Sequence, residues 1–152
     1  SLAQLSSAGT GGGNEMLYDA VYLSLYNLIA PPDPAYEVPA MTWKFVAESV
    51  PPKDKFMVDW RPDAKKIIIV FTDEHGQSYL EPNVDQPFLS GVVSSVPKLT
   101  IHTFTNAASK DSSPWGWEPI ATATGGLWYL LTADQVALYN NLLEILDEAC
   151  LP

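Results

Sequence analysis

The stretch that most limits what this chain can fold into is residues 65–82, KKIIIVFTDEHGQSYLEP. Ile67 to Phe71 is an unbroken apolar run, mostly β-branched. A run that short and uniform predicts a strand buried on both faces, in the middle of a parallel sheet. It stops at Thr72-Asp73-Glu74-His75-Gly76, which puts Asp73 just beyond the carboxyl end of a central strand. That edge is where ligands bind in open α/β sheets. Adjacent carboxylates there need partners, and a divalent cation or a hydroxyl network supplies them. The plainer reading is that Asp73 starts a turn or caps the next helix.

Helical and strand patterns alternate around this run. Met16, Leu17, Ala20, Val21, Leu25, Leu28 and Ile29 recur at helical spacing, with Asn14 as the expected N-cap and Glu15 in the first turn. Pro31-Pro32 ends that helix. Residues 31–63 form a proline-rich insertion in which only Thr42 to Ser49 has helical character, with Trp43 and Val46 inward. A second helix is expected between Asn83 and Ser94 on Val84, Phe88, Leu89 and Val92, with Pro87 in its first turn. Lys98 to Phe104 reads as a strand containing His102, a packing residue on this reading. A turn or two of helix is expected over Trp117–Thr124, and Leu127 to Leu131 as a third strand. Thr132 and Gln135 read as a capping box before a final helix bearing Val136, Leu138, Tyr139, Leu142, Leu143 and Leu146.

This order predicts a doubly wound α/β fold, a mostly parallel sheet with helices on both faces. Only three strands are evident, so one sheet edge stays open. The expectation is a partial domain lacking its N-terminal strands, completed by an N-terminal segment or by another chain.

Charge narrows the partners. With 8 Lys+Arg against 18 Asp+Glu, the net charge is -10. Nucleic acid and anionic membranes are poor partners for such a chain, since phosphate binding needs clustered Lys and Arg. Cations are good ones. No apolar run approaches the roughly 20 residues that span a bilayer. The glycine-rich GTGGGNE before the first helix lacks the Lys of a phosphate loop, so a nucleotide site is rejected. No nucleophile–base pair is visible, and no enzyme is expected. Cys150 is the single cysteine: a buried or free thiol, or half of a disulfide to a cysteine outside this sequence if the protein is exported.

Several passages together resemble the von Willebrand factor type A (VWA) domain, in its integrin β-subunit form. They are GGGNEMLYDAVYLSL, Trp60-Arg61, IIIVFTDEHG, KLTIHTF and IATATGGLWYLL. The resemblance spans roughly residues 9–149, apart from the insertion. It implies cation-dependent adhesion or protein binding by a cell-surface or secreted protein, through a partner's acidic group at a metal-ion-dependent adhesion site. Carried over by position, Glu15 matches the second-loop acid and Asp73 the third-loop Asp. Thr10 and Asn14 stand as alternative second-loop ligands, and Glu74 as a water-mediated acid. Mg²⁺, or Ca²⁺ or Mn²⁺, is the implied ion; Mg²⁺ takes near-octahedral oxygen ligands and keeps waters. The family's first loop, D-x-S-x-S, is missing: Asp111-Ser112-Ser113 has the wrong spacing. The site in this chain is therefore incomplete. Two other readings stand beside adhesion: a metal-free VWA scaffold, and a Mg²⁺-assisted hydrolase using Asp73 and Glu74.

Overall fold

The computed structural model describes residues 16–29, 42–43, 58, 60–78, 80–81, 84–111 and 113–150. Its centre is a three-stranded parallel sheet of β2 (Lys66–Phe71), β4 (Leu99–Thr105) and β5 (Trp128–Leu130), in the order β2-β4-β5. The register pairs Ile67 with Thr100, Ile69 with His102 and Phe71 with Phe104, then Phe104 with Tyr129. All three expected strands and their parallel pairing are present. The architecture is an open α/β sheet.

The position of the apolar run differs from expectation. Among the described residues β2 is an edge strand, and β4 is the middle one. Every residue of β4 except the half-buried Thr100 is buried. Its mixed sequence, LTIHTFT, hides this: Thr105 and the Nδ1 of His102 are hydrogen-bonded, while Thr103 Oγ1 and His102 Nε2 are buried without a partner among the described residues. The Thr105 hydroxyl accepts from Trp128 Nε1 at 2.7 Å and donates to the Asn106 carbonyl oxygen at 3.1 Å. His102 Nδ1 accepts the Leu127 N–H at 3.3 Å. Hydrogen-bonded side chains of this kind remove most of the penalty for burying polar atoms.

One face of the sheet carries the main core. Val70, Leu99 and Ile101 pack there with Tyr18, Val21, Leu25, Leu89, Val93, Trp117 and Ile120 from the helices. The first helix begins at Leu17, with Met16 at the N-cap position, so Asn14 is not its cap. It runs as α1 (Leu17–Ser24), breaks at Leu25, and resumes as α2 (Tyr26–Ile29). Its buried face is Tyr18, Val21, Tyr22 and Leu25, while Met16 is exposed. Val21 and Leu25 of the expected stripe are buried and Leu17, Leu28 and Ile29 pack against the core, while Tyr18 and Tyr22 add large rings to that face. Tyr22 reaches Phe88 of α3 (Gln86–Ser94), ring centroids 5.6 Å apart. Trp60 Nε1 donates to the Ser24 carbonyl oxygen at 2.7 Å, satisfying an end carbonyl of α1.

Caps fix the other helices. Asp85 Oδ1 accepts the Phe88 N–H at 2.9 Å and Pro87 sits in the first turn of α3, as expected. α4 is the short segment Glu118–Thr122. The final helix α5 (Gln135–Cys150) is capped by Asp134, whose Oδ1 accepts from Val136 N–H at 2.9 Å and Ala137 N–H at 3.2 Å. This replaces the expected Thr132/Gln135 box. Because the helix starts at Gln135, the residue directly before it takes the cap, and Thr132 Oγ1 accepts the Asp134 N–H at 3.1 Å instead.

α5 lies on the opposite face, where Glu148 approaches His102 and Ile145 is buried. Beside it, Phe71, Phe104 and Tyr129 stack in register across the strands. Their centroids are 4.7 and 4.6 Å apart with interplanar angles of 16° and 13°. The helix expected from Thr42 is contradicted at its start. Thr42–Trp43 is a strand, β1, paired antiparallel with β3 (Leu80–Glu81). Thr42 and Trp43 have high β-propensity, and pairing overrides the helical spacing. Residues 44–49 lie outside the described residues.

Candidate functional site at the carboxyl edge of the sheet

The candidate site forms where β2 and β4 end. Asp73 is exposed on the loop after β2, and Glu74 beside it is half-buried. Thr72 Oγ1 accepts the Glu74 N–H at 2.9 Å, a local turn that fixes the step between the two acids. Asn106, the first residue after β4, donates its side-chain amide to the Asp73 carbonyl oxygen. The same side chain accepts the Ser109 N–H at 2.8 Å, opening a short 3-10 turn. One amide thereby ties the loop after β2 to the loop after β4.

A second tie comes from the aromatic residues of the later loop. Trp117 Nε1 donates to the Glu74 carbonyl oxygen at 3.1 Å, and the Gly76 N–H donates to the Trp115 carbonyl oxygen at 2.9 Å. Tyr18 from α1 closes the arrangement. Its hydroxyl donates to the Gly116 carbonyl oxygen at 2.6 Å, and its ring meets Trp117 edge-on at 4.8 Å. Burial, helped by the charge of Asp85, pushes the Tyr18 phenol well above its usual range, so it stays a neutral donor. Gly76 faces the Tyr18 ring so closely that a Cβ there would lie inside it. The backbone carrying Asp73 and Glu74 is thus held from two sides while the Asp73 carboxylate stays in solvent.

Of the residues expected to hold metal, this edge contains Asp73 and Glu74. Thr10, Asn14 and Glu15 lie outside the described residues. Among the described residues no group of three or more His, Cys, Asp or Glu side chains is arranged to hold a cation. Two adjacent acids with a fixed backbone fit part of a hard-cation site, whose remaining oxygens must come from elsewhere. Asp19, a buried acid in the first turn of α1, has no counterpart in the expected ligand set.

His102 is a packing residue of β4, as expected, and is 1% exposed. With Nδ1 accepting from Leu127, the proton sits on Nε2, 3.9 Å from Glu148 Oε2 and without a hydrogen bond. Burial pushes this imidazole below its usual range against the opposing pull of Glu148. No helix among the described residues is long and apolar enough to cross a membrane. Comparison with protein families, characterised proteins and solved structures finds no match for this chain.

Proposed function

We propose that this chain is a VWA-type module for cation-dependent protein binding at a cell surface or in the extracellular space, with Asp73 as its described metal ligand. The observation that carries the reading is an exposed carboxylate at the carboxyl end of a parallel strand, on a backbone tied to the next loop through Asn106 and Trp117. Fixed backbone with a free acid suits a site that binds an ion and leaves a position for a partner's carboxylate. Glu15, with Thr10 or Asn14, supplies the second-loop ligands, and Glu74 acts through water. Mg²⁺, when bound, supplies charge that holds an acidic partner group; Ca²⁺ and Mn²⁺ are the alternatives. The β2 edge is completed from outside the described residues, by N-terminal strands or by another chain. No catalysis is assigned.

The test is calorimetry with Mg²⁺, Mn²⁺ and Ca²⁺ on the wild type and on Asp73→Asn, which keeps size and one acceptor oxygen. Wild-type cation heat that is lost in Asp73→Asn is the expected result. Absence of cation heat in the wild type defeats the reading and favours a metal-free VWA scaffold.

A further inference from the structure

Among the described residues the outer edge of β2 carries backbone groups that no strand pairs. Lys66 and Thr72 donate their N–H groups to the Lys98 and Phe104 carbonyl oxygens of β4, at 2.8 and 3.0 Å. Backbone groups alternate sides along a strand, so those of Ile67, Ile69 and Phe71 point away from β4.

An apolar trough lies beside this edge. The side chains of Ile67, Ile69 and Phe71 sit on the α5 face, and Phe71 is 44% exposed. Glu148 Oε2 lies 3.9 Å from His102 Nε2 of β4, and the Glu148 carbonyl oxygen accepts from Lys65 Nζ at 3.2 Å, so the end of α5 lies beside the start of β2. At 3.6 residues per turn, Tyr139 and Leu146 lie on the flank of α5 opposite Glu144 and Glu148. They are 61% and 55% exposed. An exposed apolar strand edge and an exposed apolar helix flank are surfaces built to be covered.

The charges along the edge indicate what covers it. Lys65, just before the strand, and Asp73, just after it, are both exposed, and the Lys65 ammonium, which donates to the Glu148 carbonyl oxygen of α5, has three donors and so can also meet a carboxylate across the edge. Two β2 edges pairing antiparallel about Ile69 place Ile67 opposite Phe71 and Lys65 opposite Asp73. The residues whose backbone groups point outward are then the ones directly opposite, the condition for exchanging both ladder bonds. The edge is complementary to itself, as a two-fold interface requires.

We propose that a second copy of this chain occupies the β2 edge, joining the two sheets antiparallel about Ile69 with Lys65 of each copy facing Asp73 of the other. This rests on the reading that the β2 edge is completed from outside the described residues, and it names the completing chain. Both α5 helices then lie on one face of the joined sheet. Repulsion between two chains of net charge -10 acts over distances that salt screens, whereas the paired Lys and Asp are in contact. A cation held by Asp73 draws that carboxylate from the second copy's Lys65, so the association is measured in chelator.

The test is sedimentation of the full chain over a range of concentrations. The wild type is expected to dimerise. Lys65→Glu and Asp73→Lys each set like charges opposite at two symmetric places and weaken the dimer by on the order of tenfold or more. The double variant restores the wild-type constant to within about threefold, since it only exchanges the two signs. Ile69→Pro removes an outward N–H, a change tolerated on an edge strand, and gives a monomer with unchanged far-ultraviolet dichroism. A wild-type monomer at every concentration overturns the proposal, as does a dimer indifferent to Lys65→Glu. Hydrogen exchange at Ile67, Ile69 and Phe71 then separates the failures. Protected amides in a monomer leave edge completion standing with a different occupant, and unprotected amides remove both readings.

Discussion

Gly76→Ala tests whether Tyr18 holds the Asp73 loop in place. The new methyl would fall inside the Tyr18 ring, which is fully buried and edge-on to Trp117. The ring cannot retreat without giving up its 2.6 Å bond to the Gly116 carbonyl oxygen. Forcing extra volume into a packed core costs about 1–3 kcal/mol. Losing the hydrogen bond adds about 0.5–1.5 kcal/mol. The expected loss is therefore roughly 2–4 kcal/mol, measured by urea denaturation, with a fall in melting temperature of about 2–4 °C for each kcal/mol in a chain of this size.

Two companion variants separate the causes. Tyr18→Phe keeps the ring, removes only the hydroxyl, and costs about 1 kcal/mol. Tyr18→Leu makes room, so adding Gly76→Ala to it costs less than in the wild type, with a coupling of about 1–3 kcal/mol. If Gly76→Ala lies within about 0.5 kcal/mol of the wild type, the size expected of a neutral surface change, the clamp argument is wrong. Strict additivity with Tyr18→Leu would refute it equally.

Other outcomes follow from single contacts. Because burial lowers the folded pKa of His102, its contribution to stability is fully present above the unfolded value of about 6.5 and is lost as pH falls through that value towards the folded one. Urea midpoints between pH 7.5 and 5 therefore drop in the wild type and flatten in His102→Leu, which is also weaker at pH 7.5 because Leu127 loses its acceptor. Asp134→Ala removes the acceptor for Val136 and Ala137 and costs about 1 kcal/mol in thermal or urea unfolding. Gly126→Ala drives a Cβ against the Ile101 carbonyl oxygen, so instead of the gain of about 0.4–1 kcal/mol at a compatible site it costs about 1–3 kcal/mol and lowers exchange protection across β4 and β5.

The elements were legible where local pattern decides them. The apolar run of β2, the Pro87 first turn of α3 and the long apolar repeat of α5 each carry their signal within a few residues. Legibility fails where the deciding partner is distant. The Tyr18 bond to Gly116 spans 98 residues, so neither the burial of Tyr18 nor the fixing of the Asp73 loop can be read from either segment. Thr42 and Trp43 become a strand because Leu80 and Glu81 pair with them, a partnership with no local signature. Asp73 was legible as an acid at a strand end. Its tie through Asn106 was not, since it depends on β2 and β4 ending side by side.

Among the described residues β4 rather than β2 holds the middle of the sheet, which has the same cause and bears on function. Hydrophobicity measures how well a strand tolerates burial; it does not say which strand has neighbours on both sides. β4 holds the middle because Thr105 and His102 find partners in β5 and the segment leading into it, while Thr124 Oγ1 accepts the Ile101 N–H at 2.8 Å. β2 has no polar side chain between Lys66 and Thr72 to mark it as an edge, and the Lys66 ammonium turns back to the Pro62 and Ala64 carbonyl oxygens at 3.3 Å. Strands left open to water are ordinarily blunted by charge, proline or bulges. Between Ile67 and Phe71 β2 has none of these, and its charges stand at the two ends, Lys65 before and Asp73 after. An apolar edge flanked by opposite charges is suited to pairing, which is why the dimer experiment and the cation experiment both turn on Asp73.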